Sequence, residues 1–245
     1  MFFVAILTTL AAYLLGSISS ATIVSKQFNL PDPRTYGSGN PGSSNMLRSG
    51  RKDAAAWTLF GDAFKGFLAV ILAYMICAIF KDMSPVLIPI TALAAFIGHL
   101  YPIFFDFKGG KGVATAFGAL LAMSFWTTFW VLLIWGCVVY YFKKSSLAAL
   151  ISAMCAPWIA FIVLRDQPLG STIGQALLFM AIMIIFRHRS NIKRLLNGEE
   201  LSLTKEQTDK NTTVSNVAEN LNNSEQNIID NAVDNVKAAQ EAVLK

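Results

Sequence analysis

The run VATAFGALLAMSFWTTFWVLLIWGCVVYYF, residues 113–142, holds no charged residue in 30 positions. As one α-helix rising about 1.5 Å per residue it would be about 45 Å long, too long for the ~30 Å of hydrocarbon in a bilayer. Lysines flank it on both sides, Lys108 and Lys111 before it and Lys143 and Lys144 after it. Basic residues collect on the cytoplasmic side of membrane spans, so both ends belong on one face and the run has to fold back on itself. The reversal is expected near residues 124–128, as two short helices of about 22 Å each.

Working outward, five more apolar stretches can each cross a membrane: residues 2–23, 54–80, 85–105, 147–164 and 169–186. The expected architecture is therefore an all-α polytopic bundle of seven transmembrane helices, the fourth and fifth short. Placing the N-terminus outside puts Lys26, Arg34, Arg48, Arg51, Lys52, Lys108, Lys111, Lys143, Lys144, Arg187, Arg189, Lys193 and Arg194 on the cytoplasmic face, against only Lys81 and Arg165 outside. The C-terminus is then cytoplasmic. Residues 1–15 imitate a signal peptide but carry no basic residue after Met1, so an uncleaved first span is expected.

Composition agrees with this class. Hydrophobic residues make up 54% and charged residues 14%, far below the ~25% charge of soluble domains. The net charge of +5 divides unevenly: residues 1–200 carry 16 Lys and Arg against 8 Asp and Glu, and residues 201–245 carry 4 against 7. The basic excess sits at span ends, so it argues for membrane topology and not for nucleic-acid binding. Cys77, Cys137 and Cys155 lie in apolar runs without metal-type spacing, and no metal or other cofactor is expected. Two domains are expected, a membrane domain at 1–200 and a polar tail at 201–245 that is disordered or weakly helical. No internal repeat links the spans, which weighs against a transporter built from paired halves.

Three polar segments interrupt the apolar background. In GSGNPGSSNMLR, residues 37–48, the glycines Gly37, Gly39 and Gly42 allow backbone N–H groups to converge on an anion. Ser38, Asn40, Ser43 and Asn45 offer neutral donors there, and Arg48 can grip phosphate oxygens. The same composition suits a plain turn. In KGGKGVAT, residues 108–115, Gly109, Gly110, Lys111 and Gly112 precede an apolar helix, the arrangement of an anion site at a helix N-terminus. It is not a Walker A loop. In RHRSNIKRLLNGE, residues 187–199, His188 and Asn191 share a helical face and suit proton exchange and substrate positioning. Asp62 and Lys65, three apart inside a span, form either a structural ion pair or a functional one. His99 reads more simply as a packed residue of its span.

Taken together, GSGNPGSSNMLR, DAFKG at 62–66, GHLYPIFFDFKGGKG at 98–112 and RHRSNIKRLLNGEE at 187–200 resemble the bacterial integral-membrane acyl-phosphate glycerol-3-phosphate acyltransferases. The likeness covers about residues 1–200, with the motifs in the same order. It implies transfer of a fatty acyl group from acyl phosphate to the 1-hydroxyl of glycerol 3-phosphate, giving lysophosphatidic acid and phosphate, in a bacterial cell membrane with the site facing the cytoplasm. It also implies site residues: Ser38, Asn40, Asn45 and Arg48 in the first motif, Gly109 to Gly112 with Thr115 in the phosphate loop, and His188, Asn191 and Glu199 in the third. The full candidate set is His188, Asn191, Lys111 and Ser38 as catalytic. For substrate it is Gly39, Asn40, Asn45, Arg48, Asp62, Lys65, Gly109, Gly110, Gly112, Thr115 and Glu199. Expected partners are the two substrates and membrane lipid, with a lipid-synthesis protein conceivable through the tail. The other reading is a membrane transporter of a phosphorylated metabolite, capturing its cargo with the same cations.

Overall fold

A computed structural model describes residues 1–200, and every described regular element is helical. In chain order they are α1 (Phe2–Gly16), α2 (Ser20–Gln27), α3 (Ser43–Leu47), α4 (Lys52–Ile79) and α5 (Leu87–Leu100). A 3₁₀ turn (Ile103–Phe105) follows, then α6 (Val113–Met123), α7 (Phe125–Phe142), α8 (Ser145–Val163), α9 (Gly170–Arg187) and α10 (Arg189–Leu196). The readings made for residues 201–245 lie outside the described residues.

Five helices are long and apolar enough to cross a membrane, and α1 with α2 makes a sixth candidate bent by 42°. The first span is thus not the continuous helix expected over residues 2–23. Its break has local causes: the buried Ser17 hydroxyl turns back to the Tyr13 carbonyl at 2.9 Å, and Ser19 caps α2 by accepting from the Thr22 N–H. The third span runs over Leu87–Phe105, α5 leaving regular geometry at Tyr101 ahead of Pro102 and the 3₁₀ turn completing it.

The long uncharged run does break at Ser124, whose extended backbone ends α6 and whose hydroxyl caps α7. The two halves are unequal, however. α6 has 11 residues, about 16 Å, while α7 has 18, about 27 Å and enough to cross. Of these two, only α6 is short. The cap decides this: Thr127 and Thr128 each bond Ser124 at the head of α7, so the chain turns at the first residue of the expected window.

Helices approach closely where a glycine faces a neighbouring backbone. A side chain on Gly16 would overlap the Ala95 carbonyl and one on Gly98 the Tyr13 carbonyl, which seats α1 on α5. Gly66 lies against the Thr115 carbonyl and Gly118 against the Ala63 carbonyl, which seats α6 on α4. Lipid offers no hydrophobic drive between helices, so such close backbone contact supplies the packing energy instead. Behind it Val70, Phe96, Leu100, Leu120, Leu177 and Met180 form the buried apolar core. Large side chains such as Trp126, Tyr141 and Trp158 stay exposed on outer faces, as lipid-facing surfaces require.

Candidate active site

Three chain segments meet at one end of α5, α6 and α9. The loop before α6 is folded back onto the end of α5, with the Gly109 N–H donating to the Leu100 carbonyl and the Gly110 N–H to the His99 carbonyl. These two N–H groups are therefore spent on the protein, and the expectation that they converge on an anion is corrected. The glycines serve approach instead, since a Cβ on Gly109 would strike the His99 carbonyl and one on Gly110 the His99 ring. Gly112 adopts φ +82°, where a side chain would be strained and would overlap Phe96. What remains open to an anion is Lys111 and the first turn of α6, whose N–H groups lack intrahelical acceptors. Thr115, fully buried in that turn, has a hydroxyl without a hydrogen-bond partner among the described residues.

Arg187, at the last turn of α9, clamps the glycine loop. Its guanidinium donates to the Gly110 carbonyl at 3.0 Å and the Gly109 carbonyl at 2.6 Å. In the sequence Arg187 counts only among the basic residues of the cytoplasmic face. No pattern in its neighbourhood singles it out from Arg189, which is exposed.

The chain then turns into α10 and delivers a polar relay. Lys111 Nζ donates to Asn191 Oδ1. Asn191 Nδ2 donates to Glu200 Oε1 at 2.6 Å, and Arg194 Nε donates to Glu200 Oε2 at 2.7 Å. Glu200 is buried whereas Glu199, the acid expected here, is exposed. The correction has a local cause. Gly198 at φ +73° reverses the chain after α10, and Glu199 N–H bonds back to the Arg194 carbonyl, so the next residue faces Asn191. The Asn-Gly pair at 197–198 signals such a stop, but not which of two adjacent acids turns inward.

Electrostatics follow from this crowding. Burial, aided by Arg194, Arg48 and Arg187 and opposed by Glu200, pushes the Lys111 ammonium down to about 8. Burial and the Lys111 charge push His188 down to about 4, so its imidazole is neutral at pH 7. Glu200 is opposed by burial, yet contacts with Ser146, Asn191 and Arg194 outweigh that and hold its carboxyl below the usual range. His188 Nδ1 lies 2.8 Å from the Ile184 carbonyl, which can only accept. Nδ1 therefore carries the proton of the neutral ring, and Nε2 presents a lone pair.

The first motif contributes in two ways. Asn45 is buried and fully engaged: its carbonyl accepts from the Ser38 N–H at 2.9 Å and hydroxyl at 3.2 Å, and its amide donates to Pro33 and Tyr36 carbonyls. It holds the loop and has no donor left for substrate, which corrects its expected binding role. Gly37, at φ +59°, lies too close to Asn45 for a side chain. Ser38 and Gly39 are exposed on that loop and Asn40 is half-buried. Arg48 is half-buried and within electrostatic range of Lys111.

Asp62, Lys65 and His99 form a second buried cluster. Lys65 Nζ lies 2.9 Å from Asp62 Oδ1 and 2.7 Å from the Ile18 carbonyl at the α1–α2 bend. His99 Nδ1 lies 3.5 Å from the same Asp62 oxygen. A narrow crevice beside it is lined by Ser19, Arg34, Lys65, His99, Lys108 and Gly110. The two clusters meet at Gly110.

Residues 6–198 match the family model described as glycerol-3-phosphate acyltransferase. The chain is 50% identical over 192 residues to a glycerol-3-phosphate acyltransferase of Ralstonia nicotianae, covering 78% of this chain and 89% of that relative. It is 52% identical over 189 residues to one from Neisseria meningitidis serogroup C, covering 77% and 92%. Its fold is similar to the crystal structure of PlsY, an integral membrane glycerol 3-phosphate acyltransferase, in its glycerol 3-phosphate form. The TM-score is 0.73 at 34% identity, covering 83% of this chain and 98% of that one.

Proposed function

This chain belongs to the glycerol-3-phosphate acyltransferase family, and we propose that it moves a fatty acyl group from an acyl phosphate to the 1-hydroxyl of glycerol 3-phosphate. It is a membrane acyltransferase, and family membership retires the transporter alternative. The observation that supports the reading best is the convergence of Lys111, Arg48, Asn191 and neutral His188 on one buried, cationic end of the bundle.

Two phosphate-bearing substrates need cationic sites, and an acyl phosphate needs little else. It is a mixed anhydride whose phosphate leaves readily, so no covalent enzyme nucleophile is demanded. In the proposed step the 1-hydroxyl oxygen attacks the acyl carbonyl carbon, the carbon–oxygen bond to phosphate breaks, and the electron pair leaves with phosphate. Lys111 and the first turn of α6 hold that phosphate and stabilise its growing charge. Arg48 and Ser38 hold glycerol 3-phosphate. His188 Nε2 either takes the hydroxyl proton or orients the hydroxyl while the departing phosphate takes it. Asn191, fixed by Glu200, aims Lys111. Asn40 and Gly39 shape the first-motif loop, and Lys65 lines the crevice beside the glycine loop.

The basic span ends support a site on the cytoplasmic face of a bacterial cell membrane, and the reading counts α1 and α2 as one bent pass and α6 as a short one, seven passes from an outside N-terminus. On this reading residues 1–200 are the catalytic unit, and residues 201–245 are the segment that would engage a protein partner. The test is phosphate release from palmitoyl phosphate by purified protein, with and without glycerol 3-phosphate, and with palmitoyl coenzyme A as the comparison donor. Release that requires glycerol 3-phosphate and yields lysophosphatidic acid supports the reading. Activity with coenzyme A alone overturns the donor, and silence with both in folded protein overturns the reaction.

A further inference from the structure

We propose that Asp62 and His99 form a positioning pair that sets the Gly109–Gly110 backbone and, through it, the aim of Lys111. The proposal rests on the acyltransferase reading above. His99 meets Gly110 twice: its carbonyl accepts the Gly110 N–H at 3.1 Å, and its ring edge at Nε2 occupies the space a Gly110 side chain would need. From α9, Arg187 holds the carbonyls of both glycines. The loop is thus gripped between α5 and α9, and Lys111 is the next residue along.

The ring does not hold this place alone. Its Nδ1 faces Asp62 Oδ1 at 3.5 Å, and Asp62 is in turn paired with Lys65, which also ties to the Ile18 carbonyl at the α1–α2 bend. All three side chains are more than nine-tenths buried. Ionisable groups at such depth are costly in a membrane and persist where they do something. A histidine needed only for packing has no use for a carboxylate in another helix. One that has to keep its Nε2 edge against a glycine does, because a carboxylate oxygen 3.5 Å from Nδ1 favours the ring orientation that leaves Nε2 on the glycine.

Displacing reacting groups by about 1 Å costs up to about 100-fold, so the effect belongs to the substrate that Lys111 holds. His99→Gln is expected to raise KM for palmitoyl phosphate about tenfold and leave KM for glycerol 3-phosphate within about twofold. Asp62→Asn moves the same constant in the same direction. Gly110→Ala drives its Cβ into the ring and lowers kcat/KM about 100-fold. Adding His99→Ala to it recovers about tenfold, because the new methyl fills space the ring has vacated. If Gly110→Ala does not fold by thermal melting in detergent, recovery of folded protein in the double variant reads the same contact. Unchanged kinetics in folded His99→Gln, equal rises in both KM values, or no recovery in the double variant would overturn the positioning role. Wild-type protein run alongside separates the two levels: if it transfers no acyl group from palmitoyl phosphate, the reaction itself is wrong. If it does and the variants match it, only the pair is.

Discussion

Burial shifts the protonation of Lys111, and burial with the Lys111 charge shifts that of His188, with measurable consequences. With Lys111 near 8 in the free protein, kcat/KM for the acyl phosphate should fall as pH rises through about 8, because the ammonium loses its charge. Lys111→Arg, which keeps its charge, flattens that limb while lowering the maximum, since a planar fork does not fit a site built for a point charge. His188 sits near 4 in the folded chain and near 6.5 when unfolded. Between those values the unfolded state binds a proton the folded state refuses. Its contribution to stability is therefore complete above pH 6.5 and lost as pH falls toward 4. Thermal midpoints in detergent at pH 7 and pH 5 read this, and His188→Asn removes its share of the decline. The two neighbouring acids should separate cleanly. Glu200→Gln strips charge-assisted bonds from Asn191 and Arg194, worth about 1.5–3 kcal/mol each, and should lower turnover at least about tenfold. Glu199→Gln, on an exposed side chain, should change stability by less than ~0.5 kcal/mol and leave turnover near wild type.

Among the helices, contact at glycine decides how near the catalytic segments come. α6 has only 11 residues, so its place depends on α4, where Gly66 and Gly118 let each backbone meet a carbonyl of the other helix. Gly118→Val should push the pair apart and cost about 1–3 kcal/mol through overpacking, read as a lower midpoint in detergent. It should also lower kcat, because α6 carries the anion-facing first turn. Gly136 on α7 meets nothing within 4 Å, so Gly136→Ala serves as the matched control and should leave both quantities close to wild type. This is where pattern reading had least to work with. Spacing signals that a run of 30 apolar residues must break, yet only the cap formed by Ser124 with Thr127 shows that it breaks unevenly. Likewise, a continuous apolar window at residues 2–23 hides the bend made by the Ser17 hydroxyl and the Ser19 cap.

For the whole molecule, the family match ends at residue 198 and the described unit at Glu200. A chain stopped after Glu200 is expected to retain acyl transfer within about threefold of full length, a difference of under ~1 kcal/mol in the barrier. Loss beyond about tenfold would give residues 201–245 a part in catalysis. The site legible in the sequence was a set of residue types in the right order: Lys111, His188 and Asn191 were named from glycine loops and helical spacing, and two of them bond directly. What stayed hidden were the partners that act through folding. Arg187, Glu200 and the supporting contact of His99 each join positions 9 to 78 residues apart, beyond the reach of local pattern.

Composition, the length of apolar runs and the placement of Lys and Arg are properties of the chain in any conformation, because transfer into hydrocarbon is judged segment by segment. They suffice for an all-helical membrane protein, and the order of the polar motifs suffices for its family. Whether a glycine frees its N–H for substrate or spends it on a neighbouring helix, whether Asn45 grips a ligand or its own loop, and which of two adjacent acids turns inward are questions of direction. Direction is set only when helices meet, since a hydrogen bond or a close backbone contact depends on where both partners point.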